Sequence, residues 1–154
     1  QQVLVPLKTE LAVAADYLAL MQIQFEHRLK FTQHIDPAAL GLLLPKLTLQ
    51  LLLENAIKHG ISQRASGGVI ELAVTMGDQP DVWQLTVRNS GQLASTSEQS
   101  TGTGLANLRQ RLRLLFADRA SLVLQQQAET VLVSLTFSGP PQAPTLNEQR
   151  HSSL

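Results

Sequence analysis

Cysteine is absent from all 154 residues. Disulfides and thiolate metal sites are therefore excluded, and a reducing compartment fits. An excess of either charge is also missing. Twelve Lys and Arg balance twelve Asp and Glu, and no basic stripe argues for nucleic acid. No apolar run approaches the roughly 20 residues that span a bilayer. The start, Gln1-Gln-Val-Leu-Val-Pro6, has no initiator Met and no basic region. No signal peptide is read there, and the chain is expected to be a fragment or a processed product. What remains is a chain long enough for one core, 44% apolar with a mean hydropathy of +0.02, the balance of a soluble globular domain. It has no internal repeats.

The most informative stretch runs from Leu47 to Gly60. Pro45 precedes it and Gly60 closes it, the punctuation of a single helix. At about 100° per residue, Leu49, Leu53, Ala56, Ile57 and Gly60 share an apolar face. The opposite face carries Thr48, Asn55, Lys58 and His59. Asn is a poor helix-interior residue because its amide competes for backbone hydrogen bonds. Taken alone, this face is either a functional one or a solvated one with a Glu54–Lys58 pair at i,i+4.

A second stretch, Thr101 to Asn107, reads as a Gly-x-Gly turn running into a helix whose buried stripe is Leu105, Leu108, Leu112 and Leu115. Free N–H groups at a helix start attract phosphate, and glycine lets the phosphate come close. A lone Gly-x-Gly is usually only a turn. An Asn/Lys/His helix, then Asn89-Ser-Gly91 at a strand end, then this turn is a more specific series.

Around these stretches the chain alternates in period. Leu7, Leu11, Ala14, Leu18, Met21 and Phe25 predict a helix from about Lys8 to Gln24. Residues from Arg28 to Ile35 alternate as a half-buried strand that Asp36-Pro37 ends. Ile70, Leu72, Val74 and Met76, then Trp83, Leu85 and Val87, mark two strands joined through Gly77–Asp81. Asn89 falls in the buried phase of the second. Gln92 to Ser100 lacks periodicity and is expected to be a loop between the two motifs, placed to act as a lid. Ser121–Gln127 and Thr130–Phe137 predict a closing hairpin. A domain over residues 1–138 and a disordered, Pro-containing tail over 139–154 are expected. The order helix, strand, helix, hairpin, helix, hairpin predicts an α+β, two-layer α/β sandwich, its mixed and mostly antiparallel sheet covered by a helix layer.

Leu49 to Gly60, Asn89-Ser-Gly91 and Gly102 to Leu112 resemble, in turn, the N box and two glycine boxes of one family. It is the ATP-binding (catalytic) domain of LytS-like sensor histidine kinases, within the GHKL, or Bergerat-fold, ATPases. The resemblance runs from about Leu7 to about Ser138 and implies the Bergerat fold, the same two-layer sandwich. It implies ATP and Mg²⁺ as ligands, with Asn55 supplying an oxygen to the metal. Lys58 would pair with phosphate. His59 would donate to phosphate or ribose, or else be a surface histidine at a helix end. Gly102, Thr103, Gly104 and the backbone at Leu105 would cradle the phosphates, with Asn107 close by. Arg109, Arg111 and Arg113 decorate the outer side, and Arg111 matches the family's Arg-Leu ending.

Three departures qualify the resemblance. The first glycine box usually carries an Asp that accepts from the adenine amino group, and here Asn89 stands there with Gly91 two residues on. Gln92 and Leu93 follow where a further glycine is usual. The water-activating carboxylate of hydrolysing relatives would fall at Leu51, which cannot act as a base. Glu54 is the remaining catalytic candidate, either orienting a group and accepting a proton or bridging to Lys58. Rapid ATP hydrolysis is therefore not expected, and transfer to a nucleophilic histidine fits better. That acceptor belongs to a dimerisation helix, and His27, His34, His59 and His151 are not in such a context.

The implied partners are ATP, the dimerisation helix of the same kinase and a response regulator. No nucleic acid and no direct membrane contact are implied, and a cytoplasmic place under a membrane sensor is. A degenerate pseudokinase that only docks a partner stays open because of Asn89. A chaperone- or repair-type ATPase is opposed by Leu51. A serine kinase is opposed by the first helix and by its Gln22-x-x-Phe25-x-x-Arg28-Leu29 exit.

Overall fold

Eighteen residues free of Gly and internal Pro form the first helix, α1, Leu7–Gln24, and bury Leu7, Glu10, Ala14 and Leu18. The computed structural model describes residues 3–61, 66–79, 81–91 and 95–139. After α1, Glu26 and His27 adopt left-handed backbone conformations (φ 55 and 66) and turn the chain into a strand. The expected tail from residue 140 lies outside the described residues.

Two short strands that the sequence gives no period for, β1 (Leu4–Pro6) and β3 (Leu43–Pro45), pair antiparallel and staple the entry of α1 to the entry of the next helix. The main sheet has five strands: β2 (Leu29–Ile35), β4 (Gly68–Met76), β5 (Trp83–Ser90), β6 (Ala120–Gln127) and β7 (Thr130–Phe137). Their spatial order is β2-β4-β5-β7-β6. Only β2 and β4 run parallel, with Leu29 opposite Gly68; the other neighbours are antiparallel. A parallel pair needs a crossover, and the crossover here contains the second helix, α2 (Thr48–His59). The third helix, α3, spans Ser95–Phe116.

The period-2 residues point as expected. Ile70, Leu72, Val74, Trp83, Leu85, Val87, Val133, Leu135 and Phe137 are buried under the helices. Trp83 stacks on Phe137 with centroids 4.3 Å apart, and Phe116 of α3 meets Phe137 edge-on at 5.0 Å. These contacts clamp α3 to the sheet. The other sheet face is polar, with Arg88 and Glu71 3.8 Å apart and largely solvated. One covered face and a mixed, mostly antiparallel sheet are the two-layer sandwich predicted. Among the described residues no helix is long and apolar enough to cross a membrane.

Candidate functional site

Helix α2 is held at both ends, and the two ends do different things. At its start Leu47 is left-handed (φ 70) and offers no side-chain cap. The cap comes from α1. Glu10, buried in the core, accepts from the backbone N–H of Leu47 and of Leu49, both at 2.9 Å. A carboxylate on the free N–H groups of a helix start suits both their unmet bonds and the helix dipole. Arg111 of α3 adds a tie by donating from Nη1 to the Lys46 carbonyl at 2.8 Å. Glu10→Ala is expected to destabilise the domain by about 1–2 kcal/mol, the range for losing a helix cap. Urea denaturation checks it, and an unchanged midpoint would contradict the capping role.

Thr48, on the polar face by helical phase, is instead fully buried. Its hydroxyl donates to the Pro45 carbonyl at 2.6 Å. The reason is packing: α1 and α3 flank α2, so burial extends past the sheet-facing stripe. Leu49, Leu53, Ala56 and Ile57 are buried as expected, and Leu52 joins them.

At the far end, α2 runs into the end of β5. Gly60 and Gly91 touch backbone to backbone; a Cβ built on Gly91 would lie 2.9 Å from the Gly60 Cα. Gly91 has φ +138, a conformation for glycine. Its N–H donates to the Glu129 carbonyl at 3.0 Å, and its own carbonyl accepts from Gln126 Nε2 at 3.2 Å. Beside this contact sits Asn89, 3% exposed, in the inward phase predicted for it. Its Nδ2 donates to the Ser90 carbonyl at 2.9 Å. A carbonyl can only accept, which fixes the amide with Oδ1 as the other, accepting end. Among the described residues no donor reaches that Oδ1. A buried acceptor without a partner is costly.

Asn55 lies about one and a half turns before Gly60 on α2, half-buried, and among the described residues its amide makes no hydrogen bond. Lys58 is exposed. The His59 side chain lies outside the described residues. One turn before Asn55, Leu51 faces α3: a Cβ on Gly104 would meet Leu51 Cδ2 at 3.5 Å. Asn55 and Gly104 therefore belong to the same side of α2. Glu54 points roughly 100° away. It is exposed, accepts from Gln50 Nε2 at 3.0 Å, and neighbours Tyr17 of α1. Burial, and secondly the Glu54 charge, push the Tyr17 hydroxyl above its ordinary 10.0.

The largest correction concerns α3. Its expected start at Gly102 is wrong, because the helix begins at Ser95 and carries Gly102, Thr103 and Gly104 inside it. Residues 95–100 of the expected loop over Gln92–Ser100 are thereby helical, while residues 92–94 lie outside the described residues, as do the side chains of 95–103. Ser, Thr, Gln and Glu cost a helix only a few tenths of a kcal/mol each, so missing apolar period does not forbid one. Ser95 and Glu98 also have the spacing of a capping box, a start signal in the sequence. Beyond Gly104 the stripe is as predicted: Leu105, Leu108, Leu112 and Leu115 are buried, while Asn107 is exposed.

The fold is like that of the catalytic domains of histidine kinases. That of histidine kinase ThkA superposes with a TM-score of 0.64 at 14% identity, covering 90% of this chain and 97% of that one. The mycobacterial sensor histidine kinase MprB gives 0.62 at 14%, covering 90% and 98%. Within the class, the sequence likeness is to the LytS sensor proteins. The sensor protein LytS of Staphylococcus haemolyticus is 35% identical over 130 residues, which cover 77% of this chain and 22% of that protein. The sensor histidine kinase/phosphatase LytS of Staphylococcus aureus is 31% identical over 145 residues, covering 86% and 24%. The chain thus spans about a quarter of the length of these relatives. No protein-family model matches it. The LytS-like histidine-kinase domain read from the N box and glycine boxes is borne out by sequence and fold together.

Proposed function

We propose that this domain is the ATP–Mg²⁺-binding catalytic module of a two-component sensor histidine kinase. It would supply the γ-phosphoryl group to a histidine on a dimerisation helix of the same kinase, which a response regulator then receives. The observation that carries this reading is the Oδ1 of the buried Asn89, which no donor reaches among the described residues. The adenine amino group is a donor of the right kind for it, whereas the six-position oxygen of guanine would set acceptor against acceptor. The Gly60–Gly91 contact leaves no side chain between the ends of α2 and β5. Asn55 presents an amide, without a hydrogen bond among the described residues, on the side of α2 that faces Gly104. Among the described residues no three His, Asp or Glu side chains cluster to hold a metal. Mg²⁺ suits one amide oxygen completed by phosphates and water, and when bound would neutralise phosphate charge. Lys58 and His59 are assigned to phosphate or ribose, and Glu54, on the α1 side, to the incoming acceptor.

Calorimetric titration tests this directly. The chain is expected to bind ATP–Mg²⁺, to prefer it to GTP–Mg²⁺, and not to label itself from radioactive ATP. Absence of heat with ATP would leave a degenerate, partner-docking module as the better account. Acid-labile phosphate on any of its four histidines would contradict the missing acceptor.

Asn89→Asp tests base reading. A carboxylate accepts a stronger hydrogen bond, which favours ATP by roughly 1 kcal/mol, about five-fold. Opposing it, Asp cannot donate to the Ser90 carbonyl, so the fold should lose about 1–2 kcal/mol. Tighter ATP binding with little change for GTP, in a less stable protein, is the expected result. An unchanged ATP-to-GTP ratio would mean that Asn89 does not read the base.

Phosphate binding by Gly102–Gly104 needs N–H groups that α3 uses internally. We infer that nucleotide draws these residues out of the helix, which two glycines make easier, each costing a helix about 1 kcal/mol relative to Ala. Gly104→Ala adds a methyl at ordinary contact distance from Leu51. It should raise the melting temperature yet weaken ATP binding about five-fold. Greater stability with unchanged ATP affinity would show that α3 keeps its helical form with nucleotide bound.

A further inference from the structure

At its C-terminal end α3 stops at Phe116 and Ala117 turns left-handed (φ 57), folding the chain back into β6. This leaves a cavity of about 160 Å³ floored by Leu112 and Leu122 and flanked by Arg109, Arg113 and Ser121. Arg109 and Arg113 are four apart and share a helix face, an arrangement that is mildly unfavourable for like charges. No carboxylate among the described residues pairs with either of them. Among the described residues the ion pair is Arg88–Glu71, on the far face of the sheet. Arg109 reaches only the Leu122 carbonyl, at 3.4 Å, and Arg113 makes no hydrogen bond among the described residues. Arg111, between them in sequence, points elsewhere and is used by the Lys46 carbonyl.

We propose that this cavity is a second binding site, for a single oxyanion group such as a phosphate monoester or a carboxylate, separate from the nucleotide site. Two guanidinium side chains and the Ser121 hydroxyl line one mouth beside the Leu122 carbonyl, and Arg is the side chain whose geometry matches such oxygens in pairs. The volume is below the roughly 300–1,000 Å³ of sites for drug-sized ligands, so it takes one anionic group and not a nucleotide. Arg113 lies nine residues along α3 from Gly104, roughly 13 Å at the helical rise. The site therefore does not depend on the nucleotide reading.

The test is an NMR titration of the whole chain with inorganic phosphate, and separately with acetate, at ionic strength held constant with sodium chloride. Saturable shifts of the Arg113, Ser121 and Leu122 amides are expected, while Gly60 and Gly91 stay unmoved. Arg113→Gln, an exposed change that leaves the core intact, should weaken binding about ten-fold, the value of one charge-assisted contact. Arg111→Gln should not weaken it. Phosphate binding well ahead of acetate assigns the site to phosphate monoesters; equal binding assigns it to carboxylates. Shifts that fail to saturate, or that Arg113→Gln leaves intact, overturn the proposal.

Discussion

Gly60→Ala is expected to destabilise the domain by about 3 kcal/mol, the upper part of the range for overpacking a core. Backbone conformation is not the reason, since Gly60 has φ −112, open to any residue. The reason is space. The added methyl would collide with Asn89 Nδ2 and stand 2.7 Å from both the Ala56 and Ser90 carbonyl oxygens. A flexible side chain could yield, but two of these three obstacles are backbone, one in the last turn of α2 and one at the end of β5. Relief requires prising α2 from β5, which also displaces Asn89. Gly41→Ala is the control, because a Cβ there meets nothing within 4 Å. It should be neutral or slightly stabilising through the unfolded chain. Urea denaturation of both variants checks the pair. A Gly60→Ala protein within 1 kcal/mol of the parent would mean that α2 and β5 are not in contact, and the base-reading role of Asn89 would fall with that contact.

The same contact shows where sequence reading stops. The stripe of α2, the alternation of β4, β5 and β7, and the inward phase of Asn89 are all periodic, and period is what a sequence displays. Glu10 has no such signal. Its partners are N–H groups 37 and 39 residues away, so it reads as one more acid on a helix. The meeting of Gly60 with Gly91 is likewise a tertiary fact; each glycine alone reads as a helix stop or a turn. Thr48 was misplaced because a helical wheel assumes one buried side, and α2 is flanked on both. The start of α3 was misplaced for a different reason. Gly-x-Gly was given the conformation that phosphate would require, whereas the structure shows the helix continuing through it. Helix formation is cooperative, so a leucine stripe anchored on the sheet carries indifferent residues along with it.

Asn55→Ala is expected to weaken ATP–Mg²⁺ binding by roughly 10- to 100-fold, the range already found for losing groups that merely support a metal's ligands. It should do so in a protein at least as stable as the parent. Asn is worse than Ala in a helix by up to about 0.7 kcal/mol, and the Asn55 amide has no hydrogen bond to lose among the described residues. A substitution that stabilises the fold while removing function separates a site residue from a packing residue. The metal can be isolated further by titrating ATP with and without Mg²⁺. Asn55→Ala should erase most of the Mg²⁺-dependent gain and leave metal-free ATP binding nearly unchanged, since adenine is read at Asn89. Asn55→Asp keeps an oxygen in place and adds charge, so it should retain the Mg²⁺-dependent gain within a few-fold of the parent. If Asn55→Ala binds ATP–Mg²⁺ as well as the parent, or if its loss is equal with and without the metal, Asn55 is not the residue that holds Mg²⁺.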